Sequence, residues 1–419
     1  MVKVYPFAAV CPRKEVADKI ASVPYDVVNA EEAREIVEEN PLSFMSVVRS
    51  EATLPGVSPD DDRVYARAKQ NLNAMVKDGL LVSDNEPGMY IYRIKQGGSL
   101  YTGLVTDLSV DDYLENKIKK HEQTRYEKEE DRTRHIDTTN ANTGLVVLLY
   151  RDQEEIFSYI ESLIPEGEPD MTVKTASGVV HEIFRVTDKD ALAHIEALFA
   201  GVDSLYIADG HHRAKSAVNV AERRRDAGTI TPEAERFMGI LFADQRVKVH
   251  GYSRMVTDLG DYTPESFIEA LKEHFEIKPY GNIDHTVFRV PPLHEAKKPV
   301  HVMHMYLGGV WYELTCPLKN PDDRIASLDV SVLQKTVLEG MLGITDPRGD
   351  PRLQYLGGAR PLADLEIKVD SGAFVVAFSM QPVDVRNVLS IADEGGIMPP
   401  KSTWFEPKLL SGLTIHMLD

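Results

Sequence analysis

The stretch YIADGHHRAKSAVNVAERR, residues 206–224, decides how the chain is read. An apolar run stops at Asp209-Gly210, and His211, His212 and Arg213 then open a pattern of helical period. A strand that hands over to a helix through Asp-Gly leaves several backbone N–H groups unpaired at one point. Together with the helix dipole, such a point attracts anions, phosphate above all. Gly210 permits a tight turn and the close approach of a ligand to the backbone. Arg213 could fork onto phosphoryl oxygens, His211 and His212 could donate hydrogen bonds, and Lys215 and Ser216 follow one turn further in. Asp209 could hold Mg²⁺ or take a proton from an attacking hydroxyl. Against this stands a purely structural reading, because Asp is a favoured helix cap and Gly a favoured turn residue. Adjacent helical histidines also point about 100° apart, so His211 and His212 make poor partners for one metal.

The chain is 419 residues long, enough for two to three ordinary domains or one large α/β body with insertions. Its formal net charge is −19, and KIKK at 117–120 and RRR at 223–225 sit beside acids. Such a surface repels phosphate backbones and anionic lipid, which argues against nucleic-acid and membrane partners. The two cysteines, Cys11 and Cys316, have no metal-ligand spacing and no base beside them, and point to a reducing, cytoplasmic compartment. Pro6 and Pro12 interrupt the first twenty residues, and no run of eighteen apolar residues follows, so neither a signal peptide nor a transmembrane span is expected.

Outward from the opening stretch, the pattern is mixed α/β. Asn29 and Glu32 read as a capping box for a helix that Pro41 ends, and Ser58-Pro59 reads as the start of a second helix reaching Gly79. Hairpins are expected at Gly97-Gly98, Ser177-Gly178 and Gly308-Gly309. Helices are expected at ESFIEALKEHF, SVLQKTVLEGML and before Gly395-Gly396, with a strand at AFVVAFSM. The polar segment NKIKKHEQTRYEKEEDRTRHIDTTNANTG has the composition of a solvated loop or short helices. A soft boundary divides residues 1–255 from residues 256–419, the latter expected to pack back on the former.

Three further motifs carry chemistry-bearing side chains. HEQTR, 121–125, imitates the start of a zincin helix, but Arg125 stands where the second histidine would be and cannot ligate zinc. What remains is Glu122, able to bind Mg²⁺ or act as base, with Arg125 and Arg132 able to meet phosphate or carboxylate. PYDVV, 24–28, is either a turn before a capped helix or a segment that faces Asp26 or Tyr25 to a substrate. MPPKSTWFEPK, 398–408, sets Lys401, Ser402, Thr403 and Lys408 between prolines, suited to holding an anion or to pinning the chain by its aromatic pair.

The Asp209–Arg213 turn resembles the phosphate-binding turn of the ParB/sulfiredoxin superfamily, and most closely that of the free serine kinases within it. Over its whole length, through Pro6-Phe7, VPYDVV, HEQTR with Asp131-Arg132, DGHHR and MPPKSTWFEPK, the chain resembles domain-of-unknown-function family 1015. The resemblance implies an α/β (α+β) fold of mixed sheets with flanking helices, a ParB/sulfiredoxin-like catalytic core bearing large additions. It further implies a phosphotransferase acting between ATP or ADP, with Mg²⁺, and the hydroxyl of a small amino acid, serine or phosphoserine first. In that reading Asp209, Glu122 and His212 are catalytic, and Asp209 and Glu122 are metal candidates. Gly210, His211, Arg213, Lys215 and Ser216 bind phosphate. Asp26, Arg125, Arg132, Lys401, Ser402, Thr403 and Lys408 contact the substrate. A nucleotide-binding switch without turnover and a phosphoserine-phosphatase-like hydrolase use the same cradle and remain open.

Overall fold

A computed structural model describes residues 1–293 and 300–419. The chain is mixed α/β and divides into two compact units, Met1–Val247 with Pro407–Asp419, and Lys248–Glu406. The expected cut at 255/256 falls at the end of the strand Ser253–Val256 of the second unit, and the segment Pro407–Asp419 returns to the first.

The first unit is built on a nine-stranded sheet. Its strands run in the order Ile118–Lys119, Leu205–Asp209, Val146–Tyr150, Arg236–Ala243, Ser99–Ser109, Met89–Gln96, Val180–Val186, Met171–Lys174, with Val4–Tyr5 paired to Ser99–Ser109. Leu205–Asp209 lies parallel to Ile118–Lys119 and antiparallel to Val146–Tyr150, which in turn is parallel to Arg236–Ala243. Val146–Tyr150 is buried at every residue, as a strand covered on both faces must be. The helices Lys189–Ala200 and His211–Ala227 contribute Ile195, Phe199, Ala214, Val218 and Ala221 to the same core as Leu104, Leu148 and Leu205. Each large apolar side chain so buried contributes roughly 1.5–3 kcal/mol relative to an exposed one.

Local chemistry sets most element ends where expected. Asn29 and Glu32 form the reciprocal capping box of Ala30–Glu39. The hairpins at Gly97-Gly98, Ser177-Gly178 and Gly308-Gly309 are present, with positive φ at each of these glycines. The helix expected from Ser58 begins instead at Asp62, because the Asp61 side chain accepts from Arg63 N and so caps it. The polar segment is largely helical: Tyr126–Thr139 is a fourteen-residue helix, closed by Asn140 in the left-handed conformation. Its buried positions are Thr133, His135, Ile136 and Thr139 rather than an apolar stripe, and the Thr133 and Thr139 hydroxyls donate back to the Glu129 and His135 carbonyls one turn earlier in the same helix.

The second unit holds a six-stranded, wholly antiparallel sheet in the order Glu276–Pro279, Val310–Pro317, Val300–Leu307, Val376–Met380, Ser253–Val256, Leu353–Leu356. The helices Pro264–Leu271 and Val385–Asp393 lie where expected. The expected helix SVLQKTVLEGML is α-helical only over Asp329–Val332 and continues as a π-helix over Leu333–Glu339.

Candidate functional site

The strand Leu205–Asp209 ends at Gly210, whose φ of 90° only glycine adopts freely, and the helix His211–Ala227 starts at the next residue. Gly210 has no side chain with which to cap this helix, so among the described residues its first N–H groups have no N-cap side-chain acceptor at the turn. Arg213 curls back beneath Gly210: a Cβ there would lie 3.0 Å from its Nε. One guanidinium nitrogen donates to Asp209 Oδ2 at 2.8 Å and another to the Leu145 carbonyl, while Nε is buried with no hydrogen-bond partner among the described residues.

The first unit brings a second cation to the same aspartate. Lys408 Nζ lies 3.6 Å from Asp209 Oδ1, nearly two hundred residues away in sequence. The segment that carries it is held by the Leu410 N–H donating to the Tyr92 hydroxyl, by the bridge between Ser411 and Ser22, and by pairing of His416–Met417 with Ala141–Asn142. Burial would raise the Asp209 pKa, but Lys408, Arg213 and His211 outweigh it and hold the carboxyl below its ordinary range.

Behind the turn three groups gather. His121 and His211 meet edge to face with ring centres 4.6 Å apart, and Glu122 Oε2 lies 3.8 Å from His211 Nδ1. Burial pushes His121 down to about 4 against the pull of Asp209, and it pushes His211 well below the ordinary histidine value. Both rings are therefore neutral at pH 7. His211 Nε2 is buried with no hydrogen-bond partner among the described residues. His212 is also lowered, by burial first and then by Lys128, and its Nε2 accepts from the Arg125 backbone N–H at 3.1 Å.

On the other side of Arg213 lies a cleft of ≈ 450 Å³, counting the part open to solvent. It is lined by Tyr25, Arg132, His135, Asn142, Thr143 and Arg213, among others. Arg132 donates to Asp131 at 2.8 Å and to the Val48 carbonyl at 3.2 Å, and its guanidinium lies 4.5 Å from the centre of the Tyr25 ring. Burial raises the Tyr25 phenol to about 12, so it remains a donor. Asn142 Nδ2 is buried without a hydrogen-bond partner among the described residues. Two arginines, a phenol and an amide lining one cleft suit a carboxylate or phosphate group.

Of the residues singled out in the sequence, Asp209, Gly210, His211, His212, Arg213, Glu122, Arg125, Arg132 and Lys408 are thus brought together in the first unit. Asp26 is exposed beside Tyr25 and acts electrostatically on Arg213 and His212. Ser216 points the other way, fully buried, with its hydroxyl donating to the Glu129 carbonyl at 2.9 Å. Lys215 faces Glu222 at 3.9 Å. Lys401, Ser402 and Thr403 belong to the second unit, where Lys401 Nζ lies 5.1 Å from the Tyr252 ring centre and Ser402 donates to the Pro399 carbonyl at 2.6 Å. Tyr25 was one of two alternatives in its motif. Asn142 and Thr143 went unnoticed, although a small polar run ending in Gly144 is a turn signal.

Among the described residues no helix is long and apolar enough to cross a membrane. Searched against the curated proteins, the chain has no match. Among solved structures it is similar to a conserved hypothetical protein from Pyrococcus furiosus, at 13% identity over 72% of this chain and 90% of that one, with a TM-score of 0.33. It is similar at 14% identity to free serine kinase in complex with AMP, over 73% of this chain and 88% of that one, with a TM-score of 0.34. A C-terminally truncated SbnI from Staphylococcus aureus aligns at 10% identity over 72% of this chain and 82% of that one, with a TM-score of 0.35. The model of the family described as protein of unknown function, DUF1015, matches residues 4–331, and the chain belongs to that family.

Proposed function

We propose that this protein is a phosphotransferase that moves a phosphoryl group between an adenine nucleotide and the hydroxyl of a small amino acid, serine or phosphoserine first. The observation that carries the reading is the gathering of Lys408, Arg213 and an uncapped helix N-terminus around Asp209, beside a cleft that holds Arg132. Phosphoryl transfer asks mainly for positioning and for neutralised charge, and these groups supply both. The likeness of the Asp209–Arg213 turn to that of the free serine kinases selects the compounds to try.

Each residue then has a task. The amides after Gly210 and the Lys408 ammonium receive phosphoryl oxygens, and Arg132 and Arg213 clamp the acid group of the amino acid in the cleft. Asp209, ionised and paired with two cations, orients them rather than taking a proton. Glu122, beside the neutral His211, is the better placed base for the acceptor hydroxyl. Both Asp209 oxygens face cations, so of the two metal candidates Glu122 is the carboxylate that fits Mg²⁺, whose remaining ligands would be phosphate oxygens and water. Mg²⁺ would neutralise phosphate charge.

The reading is tested by titrating phosphoserine into wild type, Arg213→Lys and Arg132→Lys by calorimetry. Each lysine keeps the charge and loses the planar fork, so affinity should fall about 10-fold or more in both variants. Unchanged affinity in folded Arg132→Lys would remove the cleft from the reading.

A further inference from the structure

The central strand Ser99–Ser109 buries an acid. Asp107 has no exposed surface, and neither of its carboxylate oxygens has a hydrogen-bond partner among the described residues. Two other groups converge on it. His416 Nε2 lies 3.0 Å from Asp107 Oδ2 and 3.0 Å from Glu233 Oε2, and the three ligand atoms all fall within 4.8 Å of one another. One Nε2 proton cannot satisfy two carboxylates. Its hydrogen bond goes to Glu233, which leaves Asp107 facing the imidazole without a donor. Arg236, 3.8 Å from the other Glu233 oxygen, offsets part of the charge from outside the cluster.

We propose that Asp107, Glu233 and His416 form a binding site for a divalent transition cation of the Zn²⁺ type. Ligand atoms held at about 2.0–2.2 Å from a tetrahedral ion stand a little over 3 Å apart, close to the 3.0 Å that separates His416 Nε2 from each carboxylate, with all three atoms within 4.8 Å of one another. One imidazole with two carboxylates suits zinc and its neighbours in the first transition row, whereas all-oxygen sites suit Mg²⁺ and Ca²⁺. The ion displaces the Nε2 proton and any proton held on Asp107, both of which leave to solvent, and supplies the positive partner that Asp107 lacks. His416 Nδ1 has no hydrogen-bond partner among the described residues to orient the imidazole, which weakens its hold on the ion.

The consequence is a clip. His416 belongs to the strand His416–Met417, paired with Ala141–Asn142, and the same returning segment carries Lys408 to Asp209. Bound metal fastens that segment to the strand Ser99–Ser109 through Asp107 and to the turn before Arg236–Ala243 through Glu233, two residues that take no part in the proposed transfer.

Co²⁺ is the probe, because a tetrahedral cobalt site absorbs visibly while the hexaaquo ion scarcely does. Chelator-stripped protein should bind one Co²⁺ per chain with a tetrahedral spectrum and should release it to Zn²⁺. Glu233→Gln changes a part-exposed ligand and keeps the fold, and it should weaken Co²⁺ binding about 10-fold or more. Glu122→Gln should leave the spectrum unchanged, which separates this site from the histidines of the Asp209 turn. Hydrogen exchange at Ile415–Leu418 should slow on adding Zn²⁺ to wild type and not to Glu233→Gln. A cobalt spectrum absent from wild type, or equally strong in Glu233→Gln, would overturn the site whatever the outcome of the phosphoserine titrations.

Discussion

Asp209 shows how a single residue can be read in three ways until its neighbours are placed. In sequence it is a cap, a metal ligand or a base. In the structure it is an ionised carboxylate between Arg213 and Lys408, held below its ordinary pKa because the two cations outweigh burial. A carboxylate so stabilised is a weak base, and it competes with phosphate for the cations it holds. Asp209→Asn should therefore bind phosphoserine no more weakly than wild type, while turnover falls about 100-fold or more as the cations lose their orientation. Steady-state kinetics alongside calorimetry would check the split. Wild-type turnover in the variant would remove Asp209 from the site.

At the scale of elements, the turn was legible in sequence and its surroundings were only partly so. The strand ending at Asp209, the αL glycine and the following helix each leave a local mark, and the resemblance reinforced them. The helix Tyr126–Thr139 left almost none, because its buried positions are Thr133, His135, Ile136 and Thr139, which carry no hydrophobic period. It docks on His211–Ala227 by polar contacts, among them Ser216 to the Glu129 carbonyl and the pairs Arg223–Glu130 and Arg224–Asp137. Ser216 thus looked like a phosphate ligand only because its partner was invisible. Ser216→Ala should lower unfolding stability by about 1 kcal/mol, read from the urea midpoint, without changing phosphoserine affinity. A large loss of affinity at unchanged stability would restore its ligand role. Of the two lysines of MPPKSTWFEPK assigned to the substrate, Lys408 approaches Asp209 while Lys401 belongs to the second unit; a chain of net −19 can offer an anion positive charge only where it concentrates its cations locally.

Across the whole molecule, buried histidines set the response to pH. Burial lowers His121, His135 and His181 to about 4, and His211 well below its ordinary value, against about 6.5 when unfolded. Each favours the folded state above the unfolded pKa and loses that contribution as pH falls toward the folded one, because the unfolded chain takes up the protons. Asp107, raised by burial to about 7, works in the opposite direction over the same range, but it offsets only part of what these histidines lose. Stability should accordingly drop by on the order of 3 kcal/mol per pH unit between about pH 6 and pH 5. Urea midpoints that stay level from pH 7 to pH 5 would show that these rings are not held neutral.

The central claim is that the charges gathered at the Asp209 turn serve phosphoryl transfer, and ³¹P NMR observes that transfer directly. Wild-type protein with Mg²⁺, ADP and phosphoserine should show the phosphoserine resonance declining as the γ-phosphate of ATP grows in. Serine with ATP should run the same reaction in reverse, and Glu122→Gln should slow both. Inorganic phosphate appearing without ATP would mark a hydrolase, and spectra unchanged while both ligands bind saturably would mark a binding protein without turnover. Either result would contradict the account.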